Sequence, residues 1–323
     1  MSPILRMMAQ RVALGLFTLF LVSVIIFSSM SLLPGGFAEA VLGQNATPET
    51  VAAFNSKLGL DRPGYVRYVE WVADALHGDF GDSYAGLDGN MQRRVADVVE
   101  PRLYNTFFLA VMTAVIAVPL SLFLGVLAAL YRNSWLDRLT NATTLTTVAM
   151  PEFFIAYVLM VVLAIKHRWF FALATIDGST GFWEHVYRAA LPAATLILVT
   201  VAYMMRMTRA ALVNLLESPY IEMARLKGIA RTKVILRHAL PNAWAPIATV
   251  IAFSLAYLIV GVVVVEVVFV YPGIGQVMVD AVSTRDVPVV QACTLIFATT
   301  YIVLNLVADV IGIVTNPRLL HPR

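Results

Sequence analysis

Six stretches of mainly apolar side chains, each about 20 residues long or longer, constrain this chain more tightly than anything else in it. They cover approximately residues 12–33, 103–130, 140–165, 189–205, 245–265 and 289–314. A helix crossing about 30 Å of hydrocarbon needs roughly 20 such residues, and these runs are far too long for the strands of a barrel. The expected class is an all-α membrane protein with six transmembrane helices. The third stretch is the least clean, because Pro151 and Glu152 lie inside it. Composition agrees: 59% of the residues are hydrophobic and 13% charged, against roughly 45–50% and 25% in soluble chains. A soluble enzyme with a water-facing surface is excluded.

The first stretch competes with a secretory signal, since Arg6 and Arg11 precede it and Ala38-Glu39-Ala40 has the small-x-small form of a cleavage site. Its apolar run exceeds the roughly 7–15 residues of a signal core, so it reads as a retained helix. Orientation follows from Lys and Arg. Segment 206–244 holds seven (Arg206, Arg209, Arg225, Lys227, Arg231, Lys233, Arg237) against two acids, Glu217 and Glu222. Segment 34–102 holds six against ten acids. The basic segment is expected in the cytoplasm and the acidic one outside. That puts Arg6, Arg11, the Arg132/Arg138 turn, Arg318, Arg323 and both termini in the cytoplasm. The net charge of +3 is too small to imply a nucleic-acid surface, and the single Cys293 permits no internal disulfide or CxxC site.

Within segment 34–102, Thr47-Pro48-Glu49 reads as a helix start, with the helix reaching about Leu58 and ended by Gly59. Asp61-Arg62-Pro63 begins a second helix with Tyr65, Tyr68, Val69 and Val72 on one face. Gly78-Asp79-Phe80-Gly81-Asp82-Ser83 is a turn. The segment suits either a small cap over a pore mouth or a solvated loop packed on helix ends. In segment 206–244, Ser218 as cap, Pro219 at the first helical position and Gly228 after the end define a short helix. Ile221, Ala224 and Gly228 share one face, and Glu222 and Arg225 stand at pairing distance. A second helix, capped by Thr232, presents Val234, Ile235 and Leu236 and stops before Pro241. Helices this short are marginal in water, so something holds them: either the other loops of the chain or a separate protein.

No chemistry of catalysis emerges. The G-x-x-x-x-G-K-[ST] phosphate loop, H-E-x-x-H and G-x-S-x-G are absent, and Gly273-Ile274-Gly275 runs on to Met278 without a third glycine. His77, His167, His185, His238 and His321 lack metal-ligand spacing and read as loop or interface residues. Ionisable residues inside spans are functional candidates. Glu152, Glu266 and Asp309 qualify, as path-lining or packing acids; Glu266 lies near a span end and has water within its expected reach. Met204, Met205 and Met207 read as lipid- or core-facing.

Glu222-Met223-Ala224, followed by Gly228 and then Leu240-Pro241, resembles the E-A-A…G…L-P loop of permease subunits of bacterial ATP-binding-cassette importers, with Met223 in place of the first alanine. Tyr220, Ala224-Arg225 and Lys227-Gly228 are similar to the dipeptide/oligopeptide branch. So are Leu58-Gly59-Leu60-Asp61-Arg62-Pro63 with Tyr68, Trp71 and the 78–83 turn. Val268-Phe269, Tyr271-Pro272-Gly273-Ile274-Gly275 and Arg285-Asp286-Val287-Pro288 resemble its last external loop. Asn305-Leu306, Asp309 and Asn316-Pro317-Arg318 resemble its C-terminal signature. Leu33-Pro34-Gly35-Gly36-Phe37 departs from the usual P-G-D-P, and Asn316 stands where Asp is commoner. The long first loop resembles that of the B-type subunit.

The resemblance implies a type I importer permease fold with the layout 1–33 (first helix), 34–102 (external loop), 103–314 (permease core with the 206–244 coupling loop) and 315–323 (tail). It implies a non-enzymatic subunit of the inner membrane that forms half of a path for dipeptides, oligopeptides or a related solute. Glu222, Met223, Ala224, Gly228, Leu240 and Pro241 would couple it to the ATPases. Implied partners are a paralogous C-type permease, two cytoplasmic ATPase domains carrying ATP and magnesium, an external solute-binding protein and membrane lipid; nucleic acid is not among them. The competing classes are a self-sufficient secondary transporter or channel, disfavoured by the lack of basic partners for the three acids, and an intramembrane enzyme.

Overall fold

The computed structural model describes residues 3–31, 46–57, 59, 61–84, 93–234, 237 and 239–314. Readings on Leu33 to Phe37, Ala38-Glu39-Ala40, Leu58, Leu60, Ile235, Leu236, His238, Asn316-Pro317-Arg318, His321 and Arg323 lie outside the described residues, as do the side chains of Arg225 and Pro241. The described chain is all helical apart from turns and one isolated bridge, Asp82 to Arg94. It divides into two compact units, one of residues 1–15, 105–272 and 300–323, the other of 16–104 and 273–299.

The helices are α1 (Pro3–Ser31), α2 (Pro48–Lys57), α3 (Gly64–Leu76), α4 (Val95–Leu130), α5 (Trp135–Ala149), α6 (Glu152–Leu159), α7 (Phe182–Leu216), α8 (Pro219–Leu226), α9 (Arg231–Val234), α10 (Leu240–Phe269), α11 (Ile274–Ser283) and α12 (Val287–Val314). Among the described residues, α1, α4, α7, α10 and α12 contain stretches long and apolar enough to cross a membrane. The sixth expected span is broken. Helix α5 and the stretch Glu152–Lys166, which is α6 continued by a wider π-helical segment Met160–Lys166, meet at 105°. Pro151 supplies no N–H and disfavours the helical conformation at the residue before it, and Met150 is extended, with φ −87° and ψ 135°. Helix α5 is also rich in threonine. The hydroxyls of Thr140, Thr143, Thr144, Thr146 and Thr147 donate back to carbonyls three or four residues earlier, which satisfies them without a partner helix.

In the larger unit, α10 packs along α7, α6 lies against both, and α5 lies on α7. The buried seam of α10 and α7 includes Ile247, Ala243 and Leu212, with Ala129 of α4 beside them. Small residues at such positions let backbones approach where hydrocarbon offers no hydrophobic drive between helices.

In the other unit, α3 packs on the second half of α1. The Tyr68 and Ser23 hydroxyls are 2.8 Å apart, and the Phe27 ring meets Tyr68 edge-on at 5.5 Å and Trp71 at 6.0 Å. The packed face is thus Tyr68 and Trp71. The expected face is corrected: Tyr65 and Val69 are 74% and 62% exposed, because the contact is rotated by most of a residue around α3. Thr47 and Thr50 cap α2 reciprocally, and Gly59 follows it with φ +64°. The 78–83 turn is tied down by chemistry 200 residues away. The Ser83 hydroxyl donates to Asp286 at 2.5 Å and the Tyr84 N–H donates to the same carboxylate at 3.1 Å. Burial holds the Tyr84 phenol above its ordinary value. Around this tie, Val95 and Val99 of α4 pack with Ile274 and Val277 of α11 and Val289 and Val290 of α12. The expected external loop between the fifth and sixth spans contains α11, an apolar helix of ten residues.

Candidate functional site

Two places in the larger unit concentrate the sequence-derived candidates. The first is α8. The Ser218 carbonyl accepts the N–H groups of Ile221 and Glu222, while its hydroxyl turns back to the Leu215 carbonyl at 2.5 Å. The expected side-chain cap is therefore replaced by a backbone start. At the other end Gly228 takes φ +75°, and Ile229 N–H reaches back to the Ala224 carbonyl. That six-to-one bond is the Schellman ending, and glycine adopts its conformation without the steric cost a Cβ would bring. Helix α9 begins at Arg231, with the Ala230 carbonyl accepting from Val234, so Thr232 lies inside it and is not its cap. Leu240 and Pro241 form the first turn of α10, a position that tolerates proline's missing N–H.

Helix α8 is held by its own chain, one of the two alternatives that the sequence leaves open. Ile221 is fully buried and Ala224 is 8% exposed, packed with Leu216, Val234 and Ala239 and flanked by Val126 and Leu130 of α4. The small-residue face therefore holds the helix to its own bundle. Tyr220, Glu222, Met223, Leu226 and Lys227 are exposed. Of the six expected coupling residues, Glu222 and Met223 stand outward, Ala224 points inward, Gly228 shapes the turn, and Leu240 packs with Leu212 and Ala243.

The second place is a cavity of about 580 Å³ at the α5–α6 break, bounded by α7, α10 and the middle of α12. Glu152, Tyr203, Arg206, Ser254, Tyr257 and Tyr301 supply its polar lining. The Glu152 carboxylate lies over Gly261 of α10, where an added Cβ would come 2.9 Å from Oε1. Glycine there makes the room the carboxylate occupies.

The other two acids behave differently. Glu266 is fully buried and accepts the Thr106 hydroxyl at 2.6 Å; contrary to expectation it does not reach water, because α4 closes over it. Asp309 on α12 pairs with Arg11 on α1 at 3.2 Å. Met204 and Met205 are buried and Met207 is more than a third exposed. His185 is not a loop residue. It is buried in α7, stacked 4.0 Å from Phe108, with Nε2 2.9 Å from the Tyr271 hydroxyl, which itself donates to the Asn105 carbonyl.

The sequence reading passed over one internal ion pair. Arg209 of α7 grips Asp137 of α5 through two bonds of 2.6 and 2.8 Å, and Asp137 also accepts from the Asn133 backbone and the Asn141 amide. No spacing signal links residues 72 apart. The only hint was a lone acid beside the Arg132/Arg138 turn. Among the described residues no group of three or more His, Cys, Asp or Glu could hold a metal.

The pattern of the family described as "Binding-protein-dependent transport system inner membrane component" matches residues 121–321, and its N-terminal counterpart matches residues 4–109. The "Glutathione transport system permease protein GsiC" of Escherichia coli (strain K12) is 36% identical over 300 residues, covering 93% of this chain and 94% of its own length. Proteins of the same description from Shigella dysenteriae serotype 1 (strain Sd197) and Shigella flexneri serotype 5b (strain 8401) match with the same identity and coverage.

Proposed function

The chain belongs to the family of binding-protein-dependent transport system inner membrane components, and from that premise we propose that it is the B-type half of a peptide importer. It is a multi-pass permease subunit of an ATP-binding-cassette importer. It carries no phosphate loop, so the energy comes from ATPase domains on other chains, where ATP and magnesium bind. A paralogous permease completes the path, and an external binding protein delivers the solute. Segment 206–244 faces the cytoplasm with both termini, and 34–102 lies outside. Residues 103–314 form the permease core. The Lys and Arg distribution supports this orientation; reporter fusions at Asp74 and Lys233 should report opposite sides, and agreement between them overturns it. The description of the relatives as glutathione transport permeases supports a short peptide or glutathione as cargo.

One observation carries the coupling role. Helix α8 is held on its Ile221/Ala224 face, ended by Gly228, and leaves Tyr220, Glu222, Met223 and Leu226 outward. A short helix with one face fixed and an opposite face of apolar residues around one carboxylate suits a groove on a partner. Closure of the ATPases on ATP would move α8 and shift the bundle between inward- and outward-open states, to the extent that nucleotide favours one state over the other. Leu226→Asp and Met223→Glu should strip the ATPases from membranes while the chain remains inserted and protease-resistant. Retention of the ATPases and normal uptake by both variants would place the docking surface elsewhere. Ala224→Arg tests a different thing, the packing of α8 on its own bundle.

A further inference from the structure

The cavity at the α5–α6 break is lined by an acid and a base that do not meet. Glu152 at the start of α6 and Arg206 on α7 both line it, and neither has a hydrogen-bond or ion-pair partner among the described residues. Elsewhere in this unit opposite charges close on each other, as Asp137 with Arg209 and Asp309 with Arg11 do. Glu152 is an ionisable group inside a span, costly unless compensated, and Arg206, where the basic segment 206–244 begins, lines the same cavity; a solute carrying both charges would answer both.

A third group in the cavity points the same way. Ser254 on α10 lines it and is 3% exposed, and its hydroxyl has no partner among the described residues. Buried polar groups without partners are rare enough in folded proteins to require an explanation. Tyr203, Tyr257 and Tyr301 add ring faces, which attract ammonium groups, and hydroxyls that can bond to amides. The volume of about 580 Å³ falls within the roughly 300–1,000 Å³ of small-molecule sites.

We propose that this cavity is a station for a zwitterionic peptide, with Glu152 receiving its ammonium, Arg206 its carboxylate and Ser254 a backbone amide. The assignment rests on the peptide-importer reading above and names how this subunit contacts the cargo. Gly261 sets the position of the acid, since any side chain there would displace the carboxylate.

The test uses the complete importer in lipid nanodiscs without the binding protein, and three probes: trialanine, N-acetyl-trialanine and trialanine amide. Binding is read by saturation-transfer NMR. Glu152→Gln should weaken trialanine and its amide about tenfold and leave N-acetyl-trialanine unchanged, which also shows that the variant is folded. Arg206→Gln should weaken trialanine and N-acetyl-trialanine and spare the amide. Equal losses on all three probes, or changes under twofold on all of them, overturn the station. ATP-driven uptake of glutathione and trialanine by the wild-type importer with its binding protein separates the two levels. If neither is carried, the peptide reading falls and takes the station with it. If either is carried while binding ignores the charges, only the station falls.

Discussion

Glu266 sits enclosed between α4 and α10 with the Thr106 hydroxyl on its carboxylate, whereas Glu152 opens from the start of α6 onto a cavity and has no partner among the described residues. Both acids interrupt apolar stretches, and from sequence they were equivalent candidates. Their surroundings show two ways of meeting the cost of an ionisable group away from water. One is internal: a donor on a neighbouring helix answers the acid, and the pair then fixes the two helices to each other. The other leaves the acid facing a space, and the helices around it are held by something else. An enclosed acid is scaffold, and removing it should cost stability. An open acid should cost little stability and change what the space accepts.

Four substitutions test that contrast, all read by thermal unfolding of the purified chain in detergent. The largest effect belongs to Asp137, enclosed like Glu266 and held by Arg209. Asp137→Ala leaves a largely buried guanidinium alone and should destabilise by about 3–5 kcal/mol. Glu266→Leu removes the acceptor of Thr106 and should cost about 1–3 kcal/mol; an unchanged unfolding temperature would show that enclosure contributes nothing here. Tyr271→Phe deletes a hydroxyl that links His185 to the Asn105 carbonyl, and a loss near 1 kcal/mol is expected. Glu152→Gln should shift stability by less than about 0.5 kcal/mol, the range of substitutions outside packed networks. A large loss there would make Glu152 another scaffold acid and erase the difference.

Features with a local cause were legible in the sequence. The long spans follow from runs of apolar residues. The Gly228 turn follows from a residue that alone is at ease at φ +75°. Proline and acid together marked 151–152 as irregular. What escaped depended on partners distant in the chain. Nothing near Ser83 announces Asp286, and Arg209 entered the sequence reading only as one of seven basic residues. Helix α11 escaped because Ile274–Ser283 falls in a stretch that reads as the connection between the fifth and sixth spans. The inward turn of Ala224 escaped for a subtler reason: a small-residue face permits close approach to any surface, and its spacing does not say whose. The cavity draws its lining from five helices and has no linear signature at all.

The packing of α8 has a mechanical consequence. Ile221 and Ala224 are wedged among Leu216 at the end of α7, Val126 and Leu130 at the end of α4, and Val234 of α9. Side chains packed at crystal-like density leave no slack, so α8 is not a tether that stretches before it pulls. It is a rivet through the ends of two long helices. A displacement of α8 by a fraction of an ångström is felt at once by α4 and α7, and the latter carries Tyr203 and Arg206 into the cavity wall three turns away.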